Sequence, residues 1–413
     1  MLGIIADDFT GASDIASFLT ENGLRTVQMN GVPKTTLNDR VDAIVISLKS
    51  RSNPVAEAIE QSLNALSWLQ ANGCTQFYFK YCSTFDSTEQ GNIGPVTDAL
   101  LDALGEDFTV ISPALPVNGR TIFNGYLFVG NVLLNESGMQ NHPVTPMRDA
   151  NLVRLMDAQA RGTTGLVSHQ DLLQGAENVK ACFNVLKAQG HRYAVVDAVD
   201  NSQLAVLAQA VAELKLVTGG SGLGAYIAAR LSGGKQGENA FVPPKGNTVV
   251  LSGSCSLMTN KQVANYQQKA PHLQLDVEQA LNNENYVDQL YDWVMAHLDA
   301  PLAPMVFATV PPEQLKAIQQ QFGAKQASQI IEATFAKLAK KLHTAGVVNF
   351  ITAGGETSSI VVQELGFSGF HIGKQIAAGV PWLQAVEEPI YFALKSGNFG
   401  KEDFFVYAQG MFI

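Results

Sequence analysis

Leu2-Gly3-Ile4-Ile5-Ala6, followed by Asp7-Asp8-Phe9-Thr10-Gly11-Ala12, is the stretch on which the fold turns. A compact apolar run predicts a buried strand, and Gly11 to Asn22 predicts a helix with Ile15, Phe18 and Leu19 on one face, closed by Gly23. The same alternation recurs along the chain. Ala43–Leu48 reads as a strand, and Val55, Ile59, Leu63, Leu66 and Leu69 then repeat at helical spacing. There Asn53 is the expected N-cap, Pro54 the first helical residue, and Asn72-Gly73 the stop. Gln76–Tyr81, Thr109–Ala114 and Tyr193–Ala198 are further strands. Strand–helix alternation of this kind predicts α/β architecture with mostly parallel sheets and right-handed crossovers.

The pattern pauses between Ser232 and Asn247, where glycines give way to Pro243-Pro244. It restarts with a strand at Thr248–Leu251, a helix at Leu257–Lys269 and a strand at Met305–Val310. Ser328–His343 follows as an amphipathic helix with Ile331, Phe335, Leu338 and Leu342 on its apolar face. Asn349–Ala353, Tyr391–Leu394 and Phe404–Ala408 are the remaining expected strands. We therefore expect an α/β domain over 1–231, a linker over 232–247 and a second α/β domain over 248–413, with an active site in the interdomain cleft.

Composition narrows the function classes. The 413 residues carry 27 basic and 37 acidic side chains, a net charge of −10. That is the wrong balance for a phosphate-backbone binder, which needs clustered Lys and Arg. No run approaches the roughly 18 apolar residues of a membrane span. The N-terminus lacks the basic flank and apolar core of a secretory signal. Cys74, Cys82, Cys182 and Cys255 form no CxxC pair or metal spacing, and read as reduced thiols of a cytoplasmic protein.

Three groups of residues could carry chemistry. Asp7 and Asp8 follow the first strand, where ligands gather in open α/β sheets. One of them can cap the following helix, while the pair together suits a cation or a hydroxyl-rich ligand. Lys49-Ser50-Arg51-Ser52, Lys80-Tyr81-Cys82-Ser83-Thr84-Phe85-Asp86-Ser87 and Val117-Asn118-Gly119-Arg120 follow later strands. Arg51, Lys80 and Arg120 could converge there on a carboxylate. His142, in an irregular segment ending at Arg148, could serve as a base. In the second half, Ser252-Gly253-Ser254-Cys255-Ser256, Ala353-Gly354-Gly355-Glu356-Thr357 and Lys395-Ser396-Gly397-Asn398-Phe399-Gly400 are each glycine turns after a strand. Repeated turns of this kind suit nucleotide phosphates, which need several backbone donors. Competing motifs fail: no G-x-x-x-x-G-K-[ST], HExxH or G-x-S-x-G occurs. Gly220-Ser221-Gly222-Leu223-Gly224-Ala225 fits the dinucleotide fingerprint only loosely, since its acidic partner would fall in the linker.

Taken in order, Ala6–Ala12, Ser252–Ser256 and Gly354–Thr357 resemble the four-carbon acid sugar kinase family, and the resemblance covers nearly the whole chain. Lys49–Ser52 and His142–Met147 are most similar to the branch that phosphorylates the 4-hydroxyl of 3-oxo-tetronate. Other branches, acting on threonate or erythronate, tend to carry an acidic residue where this chain has Lys49. The resemblance implies a sugar-acid-binding N-terminal domain, a nucleotide-binding C-terminal domain, and ATP with Mg²⁺. It implies Asp7 and Asp8 as catalytic carboxylates, with Thr10, Arg51, Lys80, Asp86, Arg120 and His142 on the substrate. Ser254, Ser256, Gly354, Gly355, Glu356, Thr357, Gly397 and Gly400 would hold the nucleotide. No protein ligand set for Mg²⁺ is legible. The expected partners are the sugar acid and ATP, with neither nucleic acid nor membrane; self-association is left open. A rival reading is a non-catalytic sensor of nucleotide or sugar acid.

Overall fold

The computed structural model describes residues 1–34, 37, 40–141, 145–237 and 240–413. The chain divides into two compact units, Met1–Asn239 and Ala240–Ile413.

The first unit contains β1 (Leu2–Ala6), β2 (Thr26–Asn30), β3 (Ala43–Ser47), β4 (Gln76–Lys80) and β5 (Thr109–Ser112). They are followed by β6 (Arg120–Phe123), β7 (Tyr126–Val129), β8 (Val132–Leu133), β9 (Thr164–Val167), β10 (Tyr193–Val196) and β11 (Leu216–Gly219). Eight of these strands form a parallel array in the order β2-β3-β1-β4-β11-β5-β10-β9, and β6-β7-β8 make a small antiparallel sheet. The central strands are buried along almost their whole length because helices cover both faces of a parallel sheet. Ile4, Ile5, Val27, Val45, Ile46, Tyr78, Val110 and Val195 are fully buried. Each such side chain contributes about 1.5–3 kcal/mol on burial.

The second unit contains β12 (Thr248–Ser252), β13 (His272–Gln274), β14 (Met305–Phe307), β15 (Asn349–Ala353), β16 (Gly369–Ala377), β17 (Val380–Ala385) and β18 (Tyr391–Lys395). Their order is β13-β14-β12-β15-β18-β17-β16, parallel as far as β18 and antiparallel beyond it. Trp382, Phe350, Phe370 and Phe392 fill its interior.

Both units place a strand-order reversal beside their first strand. From β1 the chain builds β2 and β3 on one side, then crosses to β4 on the other; from β12 it builds β13 and β14, then crosses to β15. Such reversals leave a crevice at the strands' carboxyl ends. Register sharpens the point. Ala6 pairs with Ser47 and Lys80, and Ala353 pairs with Ser252 and Lys395, so the segments that follow these residues start level.

Two expectations need correction. Phe404–Ala408 is not a strand but part of the helix Phe404–Gly410. Its buried residues, Phe404, Phe405 and Ala408, recur at helical spacing, which overrides the β-propensity of Phe-Phe-Val-Tyr. Helix Val55–Ala71 begins one residue later than expected: Pro54, extended at ψ 141, occupies the N-cap, and Asn53 makes no cap bond. Its packed face runs through Ala58, Ser62, Ala65, Leu66 and Leu69, and Val55 is exposed.

The stretch between the two sheets is tied at each end. The Gly237 N–H donates to the Glu21 carbonyl, within the first unit. In the second unit Phe241 accepts from the Lys374 N–H, Lys245 donates to the Ile413 carbonyl, and the Ile413 N–H donates to the Pro243 carbonyl.

Candidate active site

In the first unit, the end of β1 delivers Asp7 and Asp8. Asp8 is extended (φ −148, ψ 163) and caps helix Phe9–Glu21, accepting from the Gly11 N–H at 2.9 Å. The Thr10 hydroxyl donates to its other oxygen at 3.1 Å. Arg51, from the segment after β3, grips Asp7 with two bonds, Nε to Oδ2 at 2.8 Å and Nη2 to Oδ1 at 2.7 Å. The same Nη2 lies 2.9 Å from Asp8 Oδ1, and Nη1 lies 3.8 Å from Asp86 Oδ2. Asp86 in turn accepts from Thr84 Oγ1 at 2.6 Å. One guanidinium therefore serves three carboxylates.

Lys80 closes β4 and is almost fully buried. Its Nζ donates to the Tyr81 carbonyl at 2.9 Å and lies 3.8 Å from Asp14 Oδ2. Asp14 also accepts from the Ser221 hydroxyl, while its Oδ1 is buried without a hydrogen-bond partner. Arg120 starts β6, donates from Nη1 to the Asn118 carbonyl and leaves Nε unpartnered; its charge reaches Asp14. His142 lies outside the described residues.

Burial and charge divide the two aspartates. Burial pushes the Asp7 carboxyl up, against the pull of Arg51. Burial also acts on Asp8, but Arg51, Lys80, the Thr10 hydroxyl and the Gly11 N–H together outweigh it and lower its pKa. The Asp8 side chain is 28% exposed against 7% for Asp7, so the carboxyl with the lowered pKa is also the more reachable one. Burial pushes the Cys82 thiol up to about 12, which favours the protonated thiol.

In the second unit the three glycine turns pack on one another. The Gly253 and Ser254 N–H groups both donate to the Ala353 carbonyl, and the Gly354 N–H donates to the Lys395 carbonyl. A Cβ on Gly253 would collide with the Thr357 hydroxyl, and one on Gly397 would come within 2.7 Å of Ser254 Oγ. These glycines are required by contact between the turns. Gly354 has φ +123, and Gly400 at φ +78 faces Phe404. Gly355 differs, since a Cβ there would meet nothing within 4 Å. It opens helix Gly355–Leu365, with Glu356 in the first turn. Ser256 caps helix Leu257–Gln267 by accepting from the Thr259 N–H at 3.2 Å. Free N–H groups at two such helix starts suit an anionic group.

Lys395 supplies a charge that sequence reasoning did not assign. Fully buried, it donates to Thr259 Oγ1, the Ser396 carbonyl and the Gly397 carbonyl at 2.9–3.0 Å. Burial lowers its pKa to about 7. Asp14, Ser221 and Asn92 were also missed. Asn92 Nδ2 donates to the Ser50, Arg51 and Asn53 carbonyls and so fixes the segment bearing Arg51. Lys395 had a visible signal, a lysine ending the apolar run Tyr-Phe-Ala-Leu, as Lys80 ends Phe-Tyr-Phe. Gly220–Ala225 is accounted for by packing: Cβ atoms at Gly220 and Gly222 would strike the Pro113 and Ala114 carbonyls.

Among the described residues, no group of three or more His, Cys, Asp or Glu side chains could hold a metal ion. No helix among them is long and apolar enough to cross a membrane.

The two clusters, one of carboxylates and cations and one of glycine turns, lie in separate units. Residues 2–227 match the sugar-binding N-terminal domain and residues 249–405 the nucleotide-binding C-terminal domain. The chain belongs to the four-carbon acid sugar kinase family. It is 79% identical over 413 residues to a 3-oxo-tetronate kinase of Haemophilus influenzae, covering all of both chains. It is 57% identical to one of Brucella melitensis, covering 99% of this chain and 95% of that one. A solved Haemophilus influenzae structure of the DUF1537 family matches with a TM-score of 0.86 at 78% identity, covering all of both chains. A Salmonella typhimurium LT2 structure matches with a TM-score of 0.94 at 54% identity, covering 100% of this chain and 99% of that one. The latter carries the provisional description of a tRNA synthase, whereas a curated protein of the same strain at 54% identity is named 3-oxo-tetronate kinase.

Proposed function

We propose that this chain transfers the γ-phosphoryl group of ATP to the 4-hydroxyl of 3-oxo-tetronate, giving 3-oxo-tetronate 4-phosphate and ADP. The observation that carries the reading is the 79% identity to a 3-oxo-tetronate kinase across the full length of both chains. The two crevices support it chemically. Phosphoryl transfer demands positioning and charge neutralisation rather than a covalent intermediate. The acceptor oxygen attacks phosphorus, the bond to the β–γ bridging oxygen breaks, and the acceptor proton departs to a base.

On this reading Asp8, ionised and reachable, orients the acceptor hydroxyl and takes its proton. Asp7 holds Arg51 in place. Lys80, Arg120 and Arg51 face the substrate carboxylate, with Thr10 and Asp86 completing the polar wall. Ser254, Ser256, Gly355, Glu356 and Thr357 line the phosphate turns, which Gly354, Gly397 and Gly400 shape. Mg²⁺ enters as the Mg–ATP substrate. The protein works in the aqueous interior of the cell on small molecules alone.

A coupled ADP-release assay across four-carbon sugar acids tests the reading, with wild type and Asp8→Asn side by side. Wild type should turn over 3-oxo-tetronate in preference to threonate and erythronate. Asp8→Asn should lose about 10²–10⁴ in kcat while keeping its affinity for ATP. Absence of ADP release with every acid at millimolar concentration would leave a binding sensor as the better account.

A further inference from the structure

The third glycine turn, 396–401, has four of its carbonyls tied down. Lys395 Nζ donates to the Ser396 carbonyl at 3.0 Å and to the Gly397 carbonyl at 2.9 Å, and the Thr259 hydroxyl also donates to the Gly397 carbonyl, at 2.7 Å. Gln262, fully buried, sends Nε2 to the Phe399 carbonyl at 3.0 Å and to the Lys401 carbonyl at 2.9 Å. Thr259 and Gln262 share a face of helix Leu257–Gln267, so that face holds the turn from end to end. A trans peptide points its N–H opposite to its carbonyl. The N–H groups of Gly397, Asn398 and Gly400 therefore face away from the helix, and no hydrogen bond among the described residues engages them.

We propose that Lys395 is a positioning residue for the nucleotide: by drawing the Ser396 and Gly397 carbonyls inward, it turns the N–H groups of Gly397 and Asn398 outward as paired donors for phosphate oxygens. The inference rests on the nucleotide reading of this unit and adds a residue that acts through the backbone. Two neighbouring carbonyl dipoles held side by side repel each other, and a cation set against both offsets that repulsion. Lys395 is that cation. It meets no carboxylate among the described residues, and the three protons of its ammonium match three acceptors, the third being Thr259 Oγ1 at 3.0 Å. Consecutive N–H groups aimed the same way form a concavity that takes an anion. Position fits as well. A Cβ on Gly397 would come within 2.7 Å of Ser254 Oγ and 2.9 Å of Ser256 Oγ, so the turn lies against the hydroxyls that follow β12. Asn398 is exposed, and a ligand can reach this side of the turn.

The probe is inorganic tripolyphosphate with Mg²⁺, followed by calorimetry and by the amide proton resonances of the full chain. In wild type, saturating probe should move the Gly397 and Asn398 amide protons downfield, the signature of N–H groups bonded to an anion. Lys395→Met keeps the length of the side chain and removes the donors. With the rest of its amide spectrum in place, it should lose those two shifts and bind the probe at least about tenfold more weakly. Thr259→Val removes one of the two donors on the Gly397 carbonyl and keeps the lysine, and should weaken the probe by about threefold. Wild-type shifts and affinity in Lys395→Met would overturn the proposal while the nucleotide reading stands. So would wild-type protein that binds the probe without moving either amide. Should Lys395→Met fail to fold, Thr259→Val decides alone, and unchanged shifts and affinity there overturn the proposal. Wild-type protein that binds neither tripolyphosphate nor ATP would remove the nucleotide reading and this inference with it.

Discussion

Asp7 gives both carboxylate oxygens to Arg51, whereas Asp8 spends its own on a helix cap, the Thr10 hydroxyl and one shared guanidinium nitrogen, and keeps contact with solvent. Sequence presents the two as a pair; only their partners set them apart. Lysines make a similar contrast. Lys80 ends its strand close to the Asp14 carboxylate, while Lys395 ends its strand with a hydroxyl and two carbonyls as partners. Burial holds the Lys395 amine near 7 in the fold against 10.5 for an ordinary lysine. Between those values the unfolded chain binds the extra proton, so the folded state gains stability as pH rises from about 7 toward 10. Below pH 7 the cost of the buried charge is present in full and constant. Chemical denaturation at pH 7 and pH 9 should show wild type gaining on Lys395→Met, by on the order of 1 kcal/mol per pH unit. A wild-type-minus-variant difference that does not move with pH would mean the amine is charged throughout.

At the scale of elements, glycines in the second unit divide by what surrounds them. Gly253 and Gly397 are pressed against neighbouring turns, whereas the space beside Gly355 is open. Gly355→Val should therefore fold normally, with its melting temperature close to wild type, yet weaken ATP binding by about tenfold or more because its side chain would project where phosphate must approach. Sugar-acid affinity should stay put; calorimetry showing equal loss of both ligands would contradict the assignment. The same distinction explains what could be read without coordinates. Parallel strands such as β1 and β3 are nearly continuous apolar runs, because both their faces are covered, and they announce themselves. Strand β13 has three residues, and β16 mixes buried with exposed positions, so neither carries a clear period. Phe404–Gly410 misled because aromatic composition imitates a strand. Asp7, Asp8, Arg51 and Lys80 were legible as a group because each lies at or just beyond a strand end. Asp14 and Ser221 were not, since they reach the cluster from within helices whose sequence gives no hint of that approach.

For the molecule as a whole, the proposed reaction sets a requirement. On that reading the first unit would hold the acceptor hydroxyl and the second the γ-phosphate, and in-line transfer needs them within about 3–3.5 Å. Sugar acid together with a non-reactive ATP analogue should then lower the radius of gyration in solution scattering more than either ligand alone. A radius that is the same in every state would dispose of that closure. Another consequence follows from the bonds joining Lys245 and Pro243 to Ile413. The second unit is left by the chain at the spot where it was entered, so its beginning and end form a single seam. Ends that meet in this way can be ligated, and the unit reopened elsewhere, without stretching any strand. The same stitch puts any peptide appended after Ile413 beside the segment by which the chain enters this unit.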